Sequence, residues 1–86
     1  MFVARSKSFD KQYQKLPPKI QKQFGDRLRL LLTKENHPLL HIHPLRGEYS
    51  GAQSLNVTAD IRAIFELRDG DTYYFIAIGS HSELYG

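Results

Sequence analysis

Residues 60–79 read Asp60-Ile61-Arg62-Ala63-Ile64-Phe65-Glu66-Leu67-Arg68-Asp69-Gly70-Asp71-Thr72-Tyr73-Tyr74-Phe75-Ile76-Ala77-Ile78-Gly79. Ile61, Ala63, Phe65 and Leu67 alternate with Asp60, Arg62, Ile64 and Glu66, the period of a strand with one buried face. A second strand runs from Thr72 to Gly79. Asp69-Gly70 between them is a strong hairpin signal, because both central positions of a type I′ turn need positive φ. A two-residue loop sets Phe65 against Tyr74, Ala63 against Ile76 and Ile61 against Ile78, all on one face. The same register places Asp60 opposite Gly79 and Arg62 opposite Ala77. It gives Tyr73 and Phe75 the face of Arg62, where their rings are free to stack on nucleobases.

Upstream, Gln53, Leu55 and Val57 alternate with Ser54 and Asn56, an earlier strand. A two-residue turn at Thr58-Ala59 would mix the two faces, so the connection must be odd, pairing Asn56 with Asp60 or with Arg62. Downstream, Ser80-His81-Ser82-Glu83 has the form of a capping box, which starts a short helical turn with His81 in it. The N-terminal half has the helical period. Phe2 to Arg5 opens as a short strand. Ser8 is placed to cap a helix carrying Phe9, Tyr13 and Leu16, which Pro17-Pro18 stops. Pro18 suits the first turn of a second helix with Ile20, Phe24, Leu28 and Leu31 on one side, ended by Asn36-His37-Pro38. The expected fold is α+β in two layers, β-α-α-β-β-β, with two N-terminal helices packed on an antiparallel sheet.

No boundary, repeat or linker divides residues 1–86, so a single domain is expected. The chain has no cysteine, which excludes disulfides and thiolate metal sites. Its start shows no apolar signal-peptide core and no segment approaches membrane-spanning length, so a cytoplasmic protein is expected. Charge is unevenly divided. Residues 1–36 carry nine Lys/Arg against three acids, a net +6, whereas residues 37–86 carry three Arg against six acids, a net −3. A basic N-terminal half suits a polyanion such as RNA, or an acidic protein partner, and equally describes solvated helices.

The hairpin and the capping box bring His81 beside the strand end that holds Asp60 and Arg62, with Asn56 on the neighbouring strand. A histidine, a carboxylate, an arginine and an amide are what RNA cleavage by the ribose 2′-hydroxyl requires: acid, base and a cation for the phosphate. The same residues also describe an ordinary solvated sheet face. His41 and His43 could chelate a metal, but no further Cys or His lies at ligand spacing, so neither metal nor cofactor is expected.

Three stretches, His43-Pro44-Leu45-Arg46-Gly47, Asp60-Ile61-Arg62-Ala63-Ile64-Phe65 and Gly79-Ser80-His81-Ser82-Glu83-Leu84-Tyr85, resemble the YafQ branch of the RelE/ParE toxin superfamily. The resemblance spans the whole chain in length and element order and reaches motif level from residue 43 onward. It implies a toxin of a type II toxin–antitoxin system, a metal-independent endoribonuclease that cuts messenger RNA on the ribosome and is held inactive by an acidic antitoxin. It implies an active site of His43, Asp60 and His81, with Tyr85 positioning substrate. Arg62 matches an arginine that contacts the scissile phosphate in other members, and Asn56 stands where the branch often has a histidine. On this reading His81 is the general acid, Asp60 or His43 the base, Arg62 and Arg46 stabilise charge, and Asn56 orients a phosphate oxygen. Lys15, Lys19, Lys22 and Arg29 would grip ribosomal RNA. Two alternatives remain open: a ParE-like inhibitor of DNA gyrase, and a toxin-fold binding module without activity.

Overall fold

The computed structural model describes residues 1–85 and has three α-helices and a five-stranded sheet. The strands are β1 (Phe2–Arg5), β2 (His43–Pro44), β3 (Gln53–Asn56), β4 (Ile61–Arg68) and β5 (Thr72–Ser80). The helices are α1 (Lys7–Gln14), α2 (Pro18–Thr33) and α3 (His81–Tyr85). The strand order is β1-β5-β4-β3-β2. Fold class and the two-helix layer are as expected, with two differences: a two-residue strand, β2, adds to the sheet edge beside β3, and β1 runs parallel to β5, so the sheet is mixed. A parallel partner is possible because α1 and α2 form the crossover that returns the chain to the sheet.

The cap of α1 is Ser6, two residues before the expected Ser8. Ser6 is still extended as it leaves β1 (φ −77°, ψ 163°), the backbone a cap needs, and its Oγ accepts from Phe9 N at 3.0 Å. The same hydroxyl donates to Ile76 O at 3.0 Å. Beyond the β1 pairing, Gln12 Oε1 accepts from Ile78 N at 2.9 Å. Side chains from the strand end and α1 thus satisfy the β5 edge where β1 runs out. Pro18 does occupy the first turn of α2.

The hairpin register departs from the two-residue expectation in two steps. Asp69 (φ 56°) and Gly70 (φ 74°) take the left-handed conformations the turn demands, and Asp71 N donates to Arg68 O. The ladder nevertheless pairs Arg68 with Thr72, leaving Asp71 outside it with its carbonyl accepting Phe2 N at 2.8 Å. A bulge then leaves Ile76 unpaired, between Phe65↔Phe75 and Ile64↔Ala77. The true pairs are therefore Phe65–Phe75, Ala63–Ile78, Arg62–Gly79 and Ile61–Ser80.

Side-chain burial explains why this register holds. Tyr73 and Phe75, expected beside Arg62, point instead into the helix-covered core with Phe9, Phe24 and Phe65, where ring centroids lie 5.2–5.7 Å apart in tilted and edge pairs. Leu31, Leu40, Leu55, Val57, Ala63 and Ile78 complete that core, flanked by the Ile20 and Leu28 of the predicted stripe. The opposite face is not simply solvated. Ala52, Ile64, Ala77 and Leu84 are buried there under α3 and the 45–52 loop, with Leu45, Tyr49 and Ile76 at the margin. Among the described residues no helix is long and apolar enough to cross a membrane.

Candidate active site

The shifted register draws the candidate residues closer than the sequence suggested. Asn56 pairs with Arg62, one of the two expected options, and Arg62 pairs with Gly79 rather than Ala77. Asn56, Arg62 and Gly79 therefore form one row across three strands, on the face opposite the aromatic core, and His81 follows Gly79 by two residues. The capping box closes as predicted: Ser80 N donates to Glu83 Oε1 at 2.7 Å and Glu83 N to Ser80 Oγ at 3.2 Å. Those contacts hold the Glu83 carboxyl below the usual carboxylate range, the Ser80 backbone N–H first, then its hydroxyl, with Lys15 adding to them. Gly79 lets α3 fold back this tightly, since a Cβ there would stand 3.2 Å from Glu83 Oε1.

The turn between β3 and β4 is the centre of the arrangement. Thr58 Oγ1 accepts from Asp60 N at 3.2 Å and Ile61 N at 2.9 Å. Four consecutive carbonyls on this turn then take donors from elsewhere. Val57 O accepts from Arg27 Nε at 3.4 Å, a long bond. Thr58 O and Ala59 O accept from Arg62 Nη1 at 2.9 and 2.8 Å. Asp60 O accepts from His81 N at 3.2 Å. The Asp60, Arg62 and His81 named from the sequence are thus tied through one turn, and the rings of His81 and Tyr85, four residues apart on α3, lie 4.8 Å apart. Asp60 and His81 are exposed and Arg62 half-buried.

The remaining candidates sit farther out. His43, on β2, pairs with Ser54 of β3, whose own partner on β4 is Ile64, so it lies two strands, about 10 Å, across the sheet and two residues along it from Arg62. Its ring is exposed, with Nδ1 2.9 Å from His41 O. Arg46 is exposed in the loop whose Tyr49 packs edge-on against Tyr85 at 6.0 Å. Burial, then the charge of Glu48 and the neighbouring Tyr85, push the Tyr49 phenol up. The four basic residues divide: Lys19 and Lys22 line a groove of about 350 Å³ with Arg27, Lys15 lines another between α1 and α3, and Arg29 is paired with Asp26. Sequence reading missed Thr58, Arg27 and Tyr49. Thr58-x-Asp60 ahead of a strand is a legible turn pattern, whereas the reach of Arg27 to Val57 has no local signal.

A cavity of about 380 Å³ lies elsewhere, lined by Leu31, Glu35, His37, His41, Phe65 and Tyr73 among others. Leu67, at its wall, is five residues along β4 from Arg62, about 17 Å. The cavity lining holds no lysine or arginine, and Glu35 adds a negative charge there. Among the described residues no group of three or more His, Asp or Glu is placed to hold a metal ion.

No protein-family model matches the chain, and no curated protein matches its sequence. Solved structures do match. YafQ from E. coli strain BL21(DE3) has a TM-score of 0.83 at 20% identity, covering 98% of this chain and 97% of that one. The E. coli DinJ-YafQ toxin–antitoxin complex matches at 0.80 and 22%, with 98% and 96% covered. A YoeB/ParE toxin from Agrobacterium tumefaciens matches at 0.78 and 21%, with 94% and 99% covered. Over nearly its whole length, then, the chain has the fold of the RelE/YafQ-like toxins.

Proposed function

We propose that this chain is the toxin of a toxin–antitoxin pair and acts as a metal-independent endoribonuclease on messenger RNA at the ribosome. The observation that carries the reading is the tie between Asp60, Arg62 and His81 through the 57–60 turn, on the sheet face that the two long helices leave open. In the reaction the ribose 2′-oxygen attacks the adjacent phosphorus, its proton passing to Asp60 or His43. The bond from phosphorus to the 5′-oxygen breaks, and His81 protonates that oxygen. The products are a 2′,3′-cyclic phosphate and a 5′-hydroxyl. Arg62 and Arg46 offset the charge that builds on the phosphate oxygens, and Asn56 orients one of them. Tyr85, its ring tilted against that of His81, offers a ring to the substrate. Asn56 cannot carry a proton, so acid–base work falls on His81 with one of the other two groups.

The basic helices would hold ribosomal RNA, with Lys15, Lys19 and Lys22 free for it and Arg29 shared with Asp26. A solved neighbour is a DinJ-YafQ toxin–antitoxin complex. An acidic antitoxin covering the helices or the Arg62 cleft would inactivate this chain. The experiment is primer extension on translated messages after induction. Discrete cuts at codon positions are expected. DNA damage without RNA cuts would select a gyrase poison, and neither effect would leave a binding module.

A further inference from the structure

Arg62 carries five N–H donors in a planar fork. Its Nη1 is engaged by Thr58 O and Ala59 O, with Ile61 O farther off at 3.4 Å. Among the described residues its Nε and Nη2 have no protein acceptor. One corner of the guanidinium is therefore fixed to the protein, while the Nε–Nη2 edge, the edge that takes an oxyanion in bidentate fashion, is left open. Within the turn that presents these carbonyls, one side chain bonds two of its backbone N–H groups. Thr58 Oγ1 gathers the N–H groups of Asp60 and Ile61, folding the turn back so that the 58 and 59 carbonyls face Arg62. Backbone bonds to Ile61 O from Val57 N at 2.9 Å and Thr58 N at 3.2 Å close the turn from below.

We propose that Thr58 is a positioning residue for the cleavage reaction, setting the guanidinium of Arg62 so that its open edge meets the scissile phosphate. This rests on the ribonuclease reading above. Thr58 does not touch substrate. Removing its hydroxyl leaves Asp60 N–H and Ile61 N–H without their acceptor, lets the two carbonyls turn away, and returns the Arg62 fork to free rotation. A phosphate must then select one orientation among many, and the cost falls on the transition state, where the charge to be matched is greatest.

The test compares Thr58→Ala and Thr58→Ser in wild-type and Arg62→Ala backgrounds, by single-turnover cleavage of message on preformed toxin–ribosome complexes. Thr58→Ala should slow the chemical step by about 10–100-fold, within what misplacing one catalytic group costs, with ribosome affinity unchanged. Thr58→Ser, which keeps the oxygen, should restore most of the rate. In the Arg62→Ala background, Thr58→Ala should change the rate by less than about twofold, because the group it serves is gone. A folded Thr58→Ala protein that cuts at the wild-type rate overturns the proposal. So does an equal loss with Thr58→Ser, or a full additional loss on top of Arg62→Ala. A second readout does not depend on cleavage: side-chain nitrogen NMR should show hindered rotation of the Arg62 Nη1 group in the wild-type protein and its release in Thr58→Ala. If the wild-type protein cuts no RNA, the ribonuclease reading falls and the proposal with it; if it cuts RNA but Arg62 is equally mobile in both proteins, the proposal alone falls.

Discussion

On the helix-covered side of the sheet, Phe9, Phe24, Phe65 and Phe75 interlock and are almost wholly buried. On the other side only Ala52, Ile64, Ala77 and Leu84 form a core, under a five-residue helix and a loop. The first face has large rings in mutual contact, and its two tyrosines each find a protein partner: Tyr73 donates to Glu35 at 3.1 Å and Tyr13 to Gln21 O at 3.3 Å. The second leaves Asn56, Arg62 and His81 at least partly accessible, with Asp60 beside them on the turn. A domain of this size has little stability to spare. It places its packing on one side of the sheet and leaves the other thinly covered, and a thin cover is what lets a large substrate reach the strands.

That contrast breaks first, and most severely, at opposite faces. Phe75→Ala should cost about 3–5 kcal/mol and leave the domain close to unfolded, seen as a large fall in the denaturation midpoint. His81→Ala should leave the midpoint nearly where it was and slow single-turnover cleavage by roughly 10²–10⁴-fold. A His81→Ala protein that is folded, binds ribosomes and cuts at full rate would remove the chemistry from the second face altogether.

A finer cut separates Asp60 from His43. If Asp60 is the base, Asp60→Asn should match the loss in His81→Ala, since the amide keeps the shape and cannot take a proton. If the base is His43, about 10 Å across the sheet from Arg62, Asp60→Asn should cost far less and His43→Ala should carry the large loss.

The cover itself should respond to acid. Because the Glu83 carboxyl is held below its ordinary range in the folded chain, the capping box stabilises α3 fully above that range. Its contribution is lost as pH falls through the lowered value. Glu83→Gln should flatten this part of the acid dependence of unfolding, followed by urea midpoints across the acid range. An unchanged acid slope would mean the cap is not holding α3.

The smallest expected effect is at Ser54. It is fully buried on the site face, and among the described residues its hydroxyl finds no hydrogen-bond partner. Ser54→Ala should raise stability slightly, by up to about 1 kcal/mol, through removal of an unpaired buried polar group, and leave cleavage unchanged. A drop in cleavage would instead place the hydroxyl in the function of its strand partner His43.

Much of this was legible before any coordinates. The alternation at Ile61 to Leu67, the stripe from Ile20 to Leu31 and the Ser80–Glu83 box each encode their element locally, because period and capping chemistry act within a few residues. Asp60 and His81 could be paired as candidates because a hairpin and a cap are both short-range. What the sequence could not decide was register. Asp71 is released from the ladder by Phe2, 69 residues away, and Ile76 is bulged out where the Ser6 side chain takes its carbonyl. Those long-range bonds send Tyr73 and Phe75 into the core and bring Arg62 beside Gly79. They decide which face carries rings and which carries the candidate site, because one residue of slip reverses every side chain on a strand.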